Sequence, residues 1–271
     1  NYSSAEHDFW HAQAVDLVID CTGGELDRSV ASQHLGGSVK RVLLSQPGSS
    51  DVDATIIWGL NQQVLTPSMT VVSAGSCTSN ALMPILSIMD DALGINAGIV
   101  TTIHSAMNDQ PVIDAYHHTD LRKTRAAFNS VIPVETGLAQ GVERFLPHLG
   151  EKIQARALRV PTLNVSSLDV VLAVDTATSA ADVNRIIREA SQSFSGVLSV
   201  NEEPLASCDF LGMDASCVVD MTQTQVSGGQ LIKLMLWFDN EWAFANRMVD
   251  IAIAMSKFSD DQASIKQTNA N

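Results

Sequence analysis

The chain has 271 residues, 45% hydrophobic and 17% charged, enough for one large core or two smaller ones. Its formal charge of −14 argues against an exposed nucleic-acid groove and leaves room only for a local arginine cluster that takes an anionic metabolite. No apolar run reaches membrane-span length and no secretory segment is visible, and the four cysteines lack metal-ligand spacing, so no membrane partner, no metal and a reduced, cytoplasmic compartment are expected.

The sequence opens on Asn1 and reaches a strand pattern already at residues 15–20, the layout of a chain that begins partway through a domain. Further strand patterns follow at 39–45, 54–58 and 69–74. A helical stretch at 25–34, closed by Gly36-Gly37, separates the first two, and this β-α-β alternation predicts a parallel sheet. Residues 78–93 form an amphipathic helix with Leu82, Ile85, Leu86, Met89 and Leu93 on one face and Pro84 as a possible kink inside it. A strand at 99–103 then delivers His104. Residues 105–133 show weak periodicity, and a stretch that long inside a compact domain is usually functional.

Beyond it the character changes. Thr136-Gly137 starts a short helix. Residues 153–160, 167–174, 217–220 and 230–237 read as strands, with a helix at 180–194. This half is expected to be a mostly antiparallel sheet with helices on one face. A last helix, 241–255, carries Trp242, Ala245, Met248, Val249, Ala252 and Ile253 as its apolar positions, and a polar, frayed tail is predicted from Ser259.

Cys77 follows an apolar strand and opens a helix, so its thiol sits at the positive end of the macrodipole, which favours thiolate. Cys77 and His104, each at the end of its own strand, have the layout of a nucleophile and its base. Either residue alone reads equally as packing. Arg122, Lys123 and Arg125 crowd the long loop and Arg159 ends a strand. In so acidic a chain they suggest a phosphate or carboxylate site, with surface ion pairing as the plainer reading. Backbone N–H groups at Thr136-Gly137 can add to such a site. The Cys21-Thr22-Gly23-Gly24 turn and Ser45-Gln46-Pro47-Gly48 are weak ligand-loop signals, and no GxGxxG follows a strand. His117-His118 reads as loop surface. Asp239 or Asn240 caps the last helix, and an exposed amide there also suits a carboxamide.

Four separated segments resemble the phosphorylating glyceraldehyde-3-phosphate dehydrogenase family. They are Ser76-Cys77-Thr78-Ser79-Asn80, Thr101-Thr102-Ile103-His104, Arg159-Val160-Pro161-Thr162-Leu163-Asn164-Val165 and Trp237-Phe238-Asp239-Asn240-Glu241-Trp242. Order and spacing agree from about Val15 to Phe258. Within the family, His104-Ser105-Ala106-Met107, Asp109-Gln110, residues 112–117, Ser45-Gln46-Pro47-Gly48-Ser49 and residues 223–228 resemble the branch that oxidises erythrose 4-phosphate. Met107 stands where the glycolytic members usually have threonine, and Phe244 where they have tyrosine.

The resemblance implies an α/β fold: a partial Rossmann-type NAD domain at 1–76, joined by the helix 241–258, and an α+β catalytic domain at 77–240, with 259–271 as tail. It implies NAD as cofactor, a sugar phosphate as substrate and a homotetramer. Cys77 would be the nucleophile and His104 its activator. Ser76, Thr78, Thr136, Gly137 and Arg159 would hold the substrate, with Lys123 at the family's loop-arginine position and Arg122 beside it. Asn240 would orient the nicotinamide, and Thr22 and Ser45 would line the cofactor cleft. The family's glycine-rich first turn and acidic ribose ligand would precede residue 1. Its usual Ser-Asn-Ala is replaced here by Ser73-Ala74-Gly75. The alternatives to erythrose 4-phosphate oxidation are a phosphorylating glyceraldehyde-3-phosphate dehydrogenase and a non-catalytic remnant that associates with intact subunits.

Overall fold

The computed structural model describes residues 10, 13–24, 27–117 and 120–268, with side chains described up to Phe258. Glu25 and Leu26 of the predicted first helix, and His118, lie outside the described residues. The chain divides into two compact units. One takes the chain up to Ser76 and again from Ala245; the other is Cys77–Phe244.

The first unit carries β1 (Leu17–Asp20), α1 (Arg28–Ala31), β2 (Arg41–Leu44), β3 (Ala54–Thr55) and β4 (Val71–Ser73). The sheet order is β1-β2-β4-β3 and every pairing is parallel. Its core is Ala31, Val42, Leu44, Val52 and Val71, with Leu35 packed against it. β2 is buried at every residue, as a central parallel strand must be. The ladders are shorter than the apolar runs that announce them. Ile56 and Ile57 are fully buried, yet β3 ends at Thr55. The predicted 25–34 helix resolves into the single turn α1, capped by Asp27 through Val30 N–H, and a 3-10 turn at Ser32–His34.

The second unit holds one eight-stranded sheet in the order β6-β7-β5-β8-β12-β10-β9, with β11 on β12. Its strands are β5 (Ile95–His104), β6 (Ile132–Val134), β7 (Ile153–Arg159), β8 (Ser166–Val174), β9 (Leu198–Asn201), β10 (Cys217–Asp220), β11 (Gln225–Ser227) and β12 (Leu231–Phe238). Only β5–β7 and β9–β10 pair in parallel, so the sheet is mostly antiparallel, as predicted. β6, β9 and β11 have three or four residues, too few to show a period in the sequence.

The helices are α2 (Cys77–Leu93), α3 (Leu138–Phe145) and α4 (Ala180–Ser191). α2 packs centrally on the sheet, between α3 over β7 and α4 beside β9. Its Leu82, Met83, Ile85, Leu86 and Met89 are fully buried, and it runs unbroken through Pro84. Along β12, buried Ile232, Leu234, Leu236 and Phe238 alternate with more exposed residues, which gives the sheet its covered face. α5 (Trp242–Thr268) continues past Ser259, where the sequence predicts a frayed tail; residues 259–268 contain no glycine or proline to stop it. No helix among the described residues is long and apolar enough to cross a membrane.

Candidate active site

Two elements bring the chemistry together. Cys77 is the first residue of α2, and His104 is the last of β5, the strand beneath it. Cys77 Sγ lies 3.8 Å from His104 Nε2 and 3.8 Å from Thr78 Oγ1. His104 Nδ1 lies 2.8 Å from the Ser105 carbonyl oxygen. A carbonyl can only accept, so Nδ1 carries the proton and Nε2 turns its lone pair toward the thiol. Phe238 meets the imidazole edge-on, with centroids 6.5 Å apart.

The charge state differs from the thiolate that a helix start predicts. Burial pushes the Cys77 thiol above its ordinary pKa, and bonds from Thr78 and the backbone offset this only in part. Burial likewise holds His104 below its ordinary value. The Ser105 carbonyl works against that shift, the Arg159 charge adds to it, and Asp109 opposes it. The resting pair is therefore a thiol facing a neutral imidazole. Loss of water disfavours the charged form of each group. Moving the sulfur proton to Nε2 creates two opposite charges in contact, so this geometry suits transfer during attack on an electrophile.

The parallel register of β5 and β7 sets Arg159 directly beside His104. Arg159 is buried and pairs with Asp109 Oδ1; Asp109 Oδ2 takes Lys123 Nζ at 3.0 Å. Lys123 thus joins the cluster through an acid that composition and spacing did not single out. Arg122 is exposed on the same 3-10 turn, where its N–H donates to Asp120. Arg125 pairs with Asp114 instead. Thr136 and Gly137 stand at the start of α3, where Thr136 Oγ1 accepts from Leu138 N–H at 3.3 Å. Gly141 of that helix faces Ser79 and Met83 of α2. Ser76 immediately precedes Cys77 in the chain.

Asp239 and Asn240 divide the two roles left open between them. Asp239 is the helix cap: its carboxylate accepts from the N–H groups of Glu241 and Trp242, from Asn164 Nδ2 and from Gly212 N–H. Asn240 is held differently. Its Oδ1 accepts from Ser105 Oγ at 3.1 Å and Ser166 Oγ at 2.9 Å, which leaves its NH₂ to point elsewhere. The sequence assigned no role to Ser105 or Ser166; only the pairing of strand ends reveals their part.

In the first unit, Thr22 and Ser45 follow β1 and β2 at the sheet's C-terminal edge. Thr22 turns its N–H and hydroxyl to Asp20, and Ser45 N–H donates to the Asp20 carbonyl. Ser73 ends β4 there; its buried hydroxyl accepts from the N–H groups of Gly48 and Gly75 and donates to the Gln46 carbonyl. Gly75 has φ +70°, so the chain reaches Cys77 through a turn that needs no side chain.

A cysteine–histidine pair beside a buried arginine, on a mixed sheet covered by helices, is an arrangement suited to covalent catalysis on a substrate that carries an anion. The family model described as glyceraldehyde 3-phosphate dehydrogenase, C-terminal domain, matches residues 76–240. The chain belongs to the glyceraldehyde 3-phosphate dehydrogenase family, whose members are oxidoreductases that act on an aldehyde sugar phosphate and use NAD.

Proposed function

We propose that this chain oxidises erythrose 4-phosphate to 4-phosphoerythronate with NAD⁺, on the route to pyridoxal phosphate, as a cytoplasmic homotetramer. The observation that carries the reading is the facing of Cys77 Sγ and His104 Nε2 with Arg159 in register beside the imidazole. The choice of the four-carbon aldehyde rests on residues 104–117, on Met107 and on Phe244, which resemble that branch. The parallel sheet of the first unit is then the C-terminal part of a Rossmann-type domain.

The sulfur adds to the aldehyde carbon as its proton passes to His104 Nε2, giving a thiohemiacetal on Cys77. Nε2–H and the N–H groups at the start of α2 then stabilise the substrate oxygen. Arg159 and Lys123, with Arg122 as an outer cation, hold the substrate phosphate, and Ser76, Thr78, Thr136 and Gly137 supply neutral donors. Asn240 fits a carboxamide: with Oδ1 fixed by two serines, its NH₂ is oriented to donate. Thr22 and Ser45 are the residues assigned to the rest of the cofactor. When bound, the nicotinamide supplies the hydride acceptor. The chain's own residues hold the thiohemiacetal: His104 Nε2 returns the sulfur's proton to the substrate oxygen, giving the hydroxyl, then takes that proton back as the thioester forms and passes it to solvent. Water then releases the acid.

NADH formation tests this directly, with erythrose 4-phosphate and glyceraldehyde 3-phosphate offered in parallel, each with and without inorganic phosphate. Faster turnover of the four-carbon aldehyde without phosphate is expected; preference for the three-carbon aldehyde with phosphate would replace this reading with the glycolytic one. Cys77→Ser is expected to abolish turnover while leaving the melting temperature nearly unchanged. Turnover like wild type in that variant would sink the assignment.

A further inference from the structure

One residue beside the site is held in a backbone conformation that its side chain resists. Val165, between β7 and β8, has φ +64° and is the one non-glycine residue with positive φ among the described residues. In this region Cβ crowds the neighbouring backbone, and a branched Cβ fits it worst. Glycine takes the conformation readily, yet valine stands here. Two sets of contacts hold it. The side chain is buried with Phe210, Ala215 and Val218 against Trp237, and Phe210 stacks on the Trp237 ring with centroids 5.4 Å apart. The backbone N–H donates to Asn164 Oδ1 at 2.7 Å.

The residues on either side of Val165 serve the consecutive pair Asp239-Asn240. Asn164 Nδ2 donates to Asp239 Oδ1 at 2.9 Å, and Gly212 N–H, from the turn that carries Phe210, donates to Asp239 Oδ2 at 2.8 Å. Ser166 Oγ accepts from Ser105 N–H at 3.1 Å and donates to Asn240 Oδ1 at 2.9 Å. A return of φ to the ordinary negative range would swing Asn164 relative to Ser166, so the bonds to Asp239 and Asn240 could not both persist. Strain of this kind survives only where the surroundings over-determine it, and it collects where ligands are held. We infer that Val165 is a positioning residue: its left-handed turn, clamped by the Phe210–Trp237 layer, aims the Asn240 amide through Ser166. The consequence for a nicotinamide carboxamide rests on the function proposed above; the aim of the amide does not.

Two variants of the full chain test it. Alanine loses the branched side chain that holds the turn but keeps the Cβ that resists it, whereas glycine loses both. Hydrogen exchange needs no cofactor or substrate. In Val165→Ala the N–H groups of Ser105, Glu241 and Trp242, which end on Ser166 and Asp239, should exchange faster than in Val165→Gly, the reverse of the order that cavity size alone gives. Exchange within β5 and β7 should match wild type in both. In NADH formation, Val165→Ala should raise the KM for NAD⁺ roughly threefold to tenfold, the loss of one well-aimed hydrogen bond. The aldehyde KM and the alkylation of Cys77 by iodoacetamide should stay near wild type, and Val165→Gly should recover most of the loss. In an Asn240→Ala background, Val165→Ala should change the KM for NAD⁺ no further. If Val165→Ala fails to fold, Phe210→Leu loosens the same clamp in its place, and adding Val165→Gly should slow the exchange again. Exchange equal to wild type in Val165→Ala, or faster in the glycine variant than in the alanine one, overturns the proposal. An unchanged KM for NAD⁺ in an active Val165→Ala, or a rise that persists without Asn240, also overturns it. So does a loss that spreads to the aldehyde and Cys77, the mark of a merely structural role. A wild-type chain that oxidises neither aldehyde sinks the reaction proposed above and leaves exchange to decide the positioning.

Discussion

At the residue scale the site is a pair of groups kept neutral by their surroundings. Burial raises the Cys77 thiol and lowers His104, so at neutral pH the proton stays on sulfur until an electrophile arrives. Alkylation of Cys77 by iodoacetamide should therefore climb with pH above neutrality, because only the thiolate reacts. His104→Asn removes the acceptor 3.8 Å from sulfur and should slow alkylation near neutral pH, with the gap closing at high pH where hydroxide does the work. An unchanged rate in that variant would argue against an activating His104. Asn240 shows a different device. Its orientation is set by two serine hydroxyls from β8 and from the residue after β5, so an amide with no charge is aimed by its neighbours.

At the element scale, helix starts and strand ends do the positioning. α2 holds Cys77 because its apolar face is locked under the sheet by five fully buried side chains. β5 threads between β7 and β8 at Gly98, where a Cβ would meet Ile153 Cδ1 at 2.7 Å and Leu172 Cδ2 at 2.8 Å. The same strand pairing sets His104 opposite Arg159. The cap of α5 is equally specified. Burial alone would raise the Asp239 pKa, but bonds from Gly212, Trp242, Asn164 and Glu241 bring it below the ordinary 3.8. A depressed folded pKa means stability that is fully present above the unfolded value and lost as pH falls through the folded one. Asp239→Ala should cost about 2–4 kcal/mol at neutral pH, since it strips several buried donors of their acceptor. The gap from wild type, measured by urea unfolding, should narrow below the ordinary aspartate value. A gap that stays constant into acid would show that the charge contributes nothing.

At the scale of the whole molecule, the two units divide the work. The first carries a small parallel sheet, and the second the cysteine–histidine pair and the clustered cations. Exposed apolar residues gather on the segment after His104, at Val112, Ile113, Tyr116, Leu121 and Phe128. An isolated monomer seldom leaves so many large apolar side chains of one segment in water, which agrees with the proposed assembly. Light scattering of the purified chain should give four times 29.0 kDa, and a monomer mass across micromolar concentrations would remove the tetramer from the reading.

The sequence by itself determined the elements whose apolar pattern is long enough to show a period. The helix that starts at Cys77, β7, β8, β12 and the start of α5 are all plain in it. It also placed Cys77 and His104 at the ends of their elements, because such positions follow from local pattern. Only the tertiary structure decided which strand ends meet. The parallel β5–β7 pair sets Arg159 beside His104 although 55 residues of chain separate them, and no local pattern encodes a pairing between distant strands. The same pairing, with the turn at Met107–Gln110, brings Asp109 between Arg159 and Lys123. Burial, a property of the packed whole, also works against the thiolate that the helix start favours. A helix dipole can be read from a helix start, but the water that is excluded around it cannot.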